Sequence, residues 1–91
     1  MSASLPGEEL VERGLQDLAA HRTDSIEALL VSIGAPRLER AGIRVPSPIA
    51  DPERALYTLL AREDPDSAHG RYNALVRRLV SYERAAECVR P

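Results

Sequence analysis

From Tyr72 to the C-terminus the apolar residues Tyr72, Leu75, Leu79, Tyr82, Ala86 and Val89 follow one another at alternating intervals of three and four. This spacing is the seam of a helix built to lie lengthwise along another helix. Neither Pro nor Gly interrupts Arg71–Val89, so the pattern predicts unbroken helix there. The seam constrains the rest of the chain, because a long helix with one apolar face needs other elements, or another molecule, to cover it.

The composition says what can do the covering. There is no Phe or Trp and there are three Tyr, against twelve Leu, thirteen Ala, six Val and four Ile. Leu and Ala favour helix, and β-branched and aromatic residues are few, which points to an all-α fold. With 91 residues the chain makes one domain whose halves must share a core. Residues 1–6 are expected to be a disordered N-terminus and residues 7–91 the single helical domain. An aliphatic, Ala-rich core lets helices approach closely but buries less area per residue than an aromatic one. Modest stability as an isolated monomer is expected, which oligomerisation would relieve.

Punctuation divides the chain into four to five helices. Pro6 suits a first helical turn, and Glu8 and Glu9 suit the positive end of its dipole. Leu10, Val11, Leu15, Leu18 and Ala19 mark the apolar face of this helix, with Asp17 on the polar face. His21 and Arg22 sit at its negative end. Asp24 and Glu27 read as a capping box opening a second helix, with Thr23 as the alternative cap. Ile26, Leu29, Leu30 and Ile33 form its buried face. Gly34 is expected to close it in a left-handed conformation, and Pro36 to open a short third helix that Gly42 closes.

Residues 43–50 hold Pro46 and Pro48 and predict an extended connector. Ile43, Val45 and Ile49 alternate there, so it reads as a strap over the bundle. Asp51 and Pro52 start a fourth helix with Ala55, Leu56, Leu59 and Leu60 inward. Asp64 and Pro65 end it and open the fifth, which Gly70 delays to about Arg71.

Charge is uneven although the net value is −2. Residues 1–27 carry six acids against two Arg, and residues 67–91 five Arg against two Glu, so the ends attract. All twelve basic residues are Arg. The guanidinium fork suits carboxylate or phosphate recognition, and the same bias, with abundant Ala, Gly and Pro, follows from a GC-rich genome. The one Cys, Cys88, excludes an internal disulfide and fits a reducing, cytoplasmic compartment. No leader or long apolar run is read, which argues against a membrane.

Taking Tyr72, Leu79 and Ala86 as a positions puts Leu75, Tyr82 and Val89 at d, Val76 and Glu83 at e, and Arg71 and Arg78 at g. A parallel pairing then sets Arg78 against Glu83 of a second copy. Val76 and Val80 widen the apolar face beyond a narrow seam. The expected interface is therefore Tyr72, Leu75, Val76, Arg78, Leu79, Tyr82, Glu83 and Ala86, and the partner a second copy or a heterologous protein.

Chemistry-bearing residues are sparse. His21, His69 and Cys88 form no metal-ligand or nucleophile pattern, and neither a cofactor nor a metal is expected. Arg71, Arg77, Arg78 and Arg84 make the last helix basic, but the chain is acidic overall and lacks interleaved aromatics, which argues against nucleic acid. Arg62 and His69 flank six residues before that helix, with Tyr72 nearby. This spacing resembles the Arg-x(4–6)-His motif of the HEPN family, helical proteins many of which are ribonucleases working as dimers. The resemblance implies metal-independent RNA cleavage with His69 as acid/base and Arg62 holding the phosphate. It spans eight residues, contains Pro65 and lacks an amide after Arg62. The reading from the residues themselves is a non-enzymatic association module, small, regulatory or accessory. A helical bundle with a small-ligand pocket between its helices is a further alternative.

Overall fold

Five helices and no strand make up residues 5–89, the part that the computed structural model describes. They are α1 (Glu8–Ala19), α2 (Ile26–Ile33), α3 (Ala35–Arg40), α4 (Pro52–Glu63) and α5 (Ala68–Val89). The all-α bundle with a proline-containing connector and a long C-terminal helix is thus the observed architecture. Among the described residues no helix is long and apolar enough to cross a membrane.

Helix α2 is the axis of the core. Five consecutive residues, Ala28 to Ser32, are buried, so it is enclosed on all sides rather than on the single face its periodicity suggests. The buried set Leu18, Leu30, Leu38, Leu56 and Leu60 gathers α1 to α4 around it. Two glycines let neighbours come close. A Cβ on Gly14 of α1 would collide with the Glu27 backbone carbonyl and Val31. One on Gly34, between α2 and α3, would lie 2.6 Å from Glu83 Oε2 and 3.0 Å from Leu79 Cδ1. Gly34 has φ −87°, so it is required by this approach and not by a left-handed cap.

Several ends differ from the sequence expectation. Leu5, placed by sequence in a disordered opening, packs on the core, while residues 1–4 of that expectation lie outside the described residues. Helix α1 starts at Glu8, behind Gly7, rather than at Pro6. Its C-terminal turn places His21 at φ 62°, with the Arg22 N–H donating to the Asp17 carbonyl (2.7 Å) and the His21 N–H to the Leu18 carbonyl (3.0 Å). This is the closing pattern usually given to glycine. Ser25, not Asp24 or Thr23, caps α2: its hydroxyl accepts from the Ala28 N–H at 3.0 Å and donates to Asp17 Oδ2 at 2.7 Å. Asp17 is accordingly buried, not on a polar face.

Gly42 closes α3 as expected, at φ 89°. The strap then lays Val45 into the core and Ile43 and Ile49 against it. It is pinned by Ser32, which accepts from the Ile49 N–H at 3.0 Å while donating to the Ala28 carbonyl at 2.9 Å. Asp51 precedes α4 at φ 51° and makes no side-chain cap. Helix α5 begins at Ala68, before Gly70, because Ala68 is fully buried and fixes the turn despite the glycine.

Candidate functional site

The structure divides the anticipated α5 interface into a covered part and an outer flank. Leu79, Tyr82, Glu83 and Ala86 are buried within the single chain. Leu79 and Glu83 lie against Gly34, and Tyr82 against Gly7. Arg78 stays exposed but its guanidinium bonds Glu9 of α1 at 2.6 Å. Glu83 faces Arg37 of α3 at 3.6 Å. Both members of the anticipated Arg78–Glu83 contact between copies are therefore engaged within the chain, the first by the expected attraction between its acidic and basic ends.

Tyr72, Leu75 and Val76 are half-buried and touch the core from the edge. Tyr72, Val76 and Val80, four residues apart, form a row inclined to the axis of α5, and all three keep part of their surface in solvent. Beside Val76 and Val80 runs a groove of about 250 Å³ whose other wall holds Ile33 and Pro36. Beside Tyr72 stands Tyr57 of α4, one of two large hydrophobic residues exposed among the described ones, at 40 %. Its ring is 5.8 Å from Tyr72 and 6.5 Å from His69, both tilted or edge-on. His69 Nε2 is 3.2 Å from the Asn73 amide nitrogen. Two of the three tyrosines and one of the two histidines thus meet on the α4–α5 surface of an otherwise aromatic-poor protein.

Charges border this flank. Arg37 donates to both oxygens of Glu87 at 2.9 Å, which holds the Glu87 carboxyl below its ordinary value. Burial pushes Glu83 the other way, above the usual carboxylate value, against the pull of Arg37. Arg40 lines the groove beside Val80. Glu53 lies near enough to Tyr72 to add to the burial that raises its phenol. Among the described residues neither Arg40 nor Glu53 has an ion-pair partner.

Arg62 and His69 stand on different sides of α4. His69 packs on Tyr57, whereas Arg62 lines a separate groove with Thr58 and Leu59. Five residues along a helix turn through roughly 140°, which carries Arg62 away from the Tyr57 side. No hydrogen bond or ring contact joins the two. Among the described residues no group of His, Cys, Asp and Glu is placed to hold a metal ion, and Cys88 is exposed.

Tyr57 was not singled out by sequence, since one aromatic on the polar side of a helix carries no periodic signal; only its proximity to Tyr72 and His69 reveals it. Val80 was visible as a widening of the stripe. No protein-family model, curated protein or solved structure matches the chain, so its own geometry carries the functional reading.

Proposed function

We propose that this chain is a non-enzymatic association module that pairs with a second copy of itself through the outer flank of α5. The observation that carries the reading is the row Tyr72, Val76 and Val80, partly exposed and continuous with exposed Tyr57. Aromatic and aliphatic surface of this kind, bordered by polar groups, is the composition of interface centres.

The row is self-complementary. Tyr72 and Val80 are equidistant in sequence from Val76, so an antiparallel pairing about Val76 sets Tyr72 of each copy on Val80 of the other. Glu53 accompanies Tyr72 and Arg40 accompanies Val80. The same two-fold axis brings Glu53 of each copy to Arg40 of the other, giving each a direct ion pair that neither makes among the described residues of one chain, where Arg40 acts on Glu83 and Glu87 only from a distance. This arrangement replaces the Arg78–Glu83 pairing expected from the heptad register.

Charge exchange tests it. Glu53→Arg and Arg40→Glu should each weaken the dimer in light-scattering gel filtration, and combining them in one chain should restore part of the loss. Single and double variants that elute as the parent does would remove the proposed pairing.

A further inference from the structure

A groove of about 450 Å³ lies on the side of α4 away from the association flank. That is within the range of small-molecule sites. One wall is a single ridge of α4, Arg54, Thr58 and Arg62, spaced four residues apart. Its floor is apolar, formed by Ala55 and Leu59 of the same helix and Leu29 of α2. Among the described residues neither guanidinium on the ridge has a hydrogen-bond or ion-pair partner, whereas Arg22, Arg37, Arg71 and Arg78 all do. Eight residues of helix set their Cα atoms roughly 12 Å apart along the axis.

Two carboxylates share the groove, Asp24 and Asp51. Each stands just before a helix, Asp24 ahead of Ser25 and α2, Asp51 at the start of α4. The positive ends of those helix dipoles, worth about half a charge each, offset part of that negative charge. Helix α4 runs antiparallel to α2, since the strap is pinned to Ser32 near the end of α2 just before α4 begins. The start of α2 therefore meets the Arg62 end of the groove, and the start of α4 the Arg54 end, so the compensation acts at both ends. The two guanidiniums balance the two carboxylates in formal charge, and the helix starts add partial positive charge above an apolar floor.

We propose that this groove binds a linear aliphatic dicarboxylate, its two carboxylates taken by Arg54 and Arg62 and its methylenes laid on Leu29, Ala55 and Leu59. The guanidinium fork grips a carboxylate through two parallel hydrogen bonds, and Thr58 stands on the ridge midway between the two. The proposal is independent of association, because Tyr57, Tyr72, Val76 and Val80 lie outside the groove.

Azelate, titrated into the protein and followed by nitrogen–proton correlation spectra, tests it, with nonanoate and the matching diamine as comparison probes. The amides of Leu29, Ala55, Thr58 and Leu59 should shift and saturate below about 10 mM azelate, a weak but specific affinity. Nonanoate should bind about tenfold more weakly, the loss of one charge-assisted contact, and the diamine should not perturb these amides. Arg54→Gln and Arg62→Gln should each weaken azelate about tenfold, while Arg77→Gln on α5 should leave it unchanged. Absence of saturable shifts in the groove would overturn the proposal. So would equal binding of the diamine, or shifts that survive the Arg54→Gln, Arg62→Gln double variant.

Discussion

Arg37 of α3 and Glu87 of α5, fifty residues apart in sequence, share two hydrogen bonds of 2.9 Å, while the same guanidinium lies 3.6 Å from buried Glu83. One cation thus ties two carboxylates on successive turns of α5 to the short third helix. The environments of the two acids differ, and so do their consequences for pH.

Glu87 is held below its ordinary value of 4.5, first by its bond to Arg37. It therefore contributes stability that is present above the unfolded value and lost as pH falls through the folded one. Glu83 is raised above the same 4.5, first by burial. Its contribution is fully present below the unfolded value and is lost as pH rises through the folded one. Denaturant unfolding across the acid range should show opposite difference curves. Relative to parent, Glu87→Gln should lose stability above about pH 4.5, and Glu83→Gln should gain relative stability as pH rises past that region. Parallel curves for the two variants would contradict the assignment.

Gly14 and Gly70 are both helical, yet alanine should act oppositely at the two. At Gly14 a methyl group meets the Glu27 backbone and Val31, so Gly14→Ala should destabilise by about 1–3 kcal/mol through overpacking. At Gly70 nothing lies within 4 Å, and Gly70→Ala should stabilise by about 0.5–1 kcal/mol from reduced backbone freedom in the unfolded chain. Thermal unfolding of both variants decides the matter, and a stabilising Gly14→Ala would mean that α1 and α2 do not cross there.

His21 holds a left-handed conformation while exposed to solvent. His21→Gly should raise stability by about 1 kcal/mol by removing that strain. Unchanged or reduced stability would count against the closing turn of α1.

Leu79 is 3 % exposed and Arg77, two residues before it, faces solvent. Leu79→Ala should cost about 2–5 kcal/mol, and Arg77→Ser about 0.5 kcal/mol or less. Similar losses at the two positions would mean that α5 is rotated about its axis relative to the account given.

Much of this architecture is legible in the residues themselves, because helix punctuation is local. Gly42 closing α3, Pro52 in the first turn of α4 and the alternation of Ile43, Val45 and Ile49 act within a few residues of where they stand. What escapes the sequence is set by distant partners. Asp24 and Ser25 are both good caps, and the choice falls to Ser25 because Asp17, a turn and a loop away, accepts its hydroxyl proton. Glu83 reads as a surface charge until Gly34 makes room for it. The apolar stripe of α5 reads equally as a seam for another chain or for this one. The structure gives its middle to the chain's own core and leaves Tyr72, Val76 and Val80 at the edge.

Association through that edge is the central claim, and sedimentation equilibrium of the unmodified chain tests it most directly. The account predicts twice the 10.0 kDa chain mass at micromolar concentration, with Val76→Asp returning the protein to monomer while its helical circular dichroism is retained. A monomer mass at every concentration up to about a millimolar, where the association free energy is only about −4 kcal/mol, would contradict it.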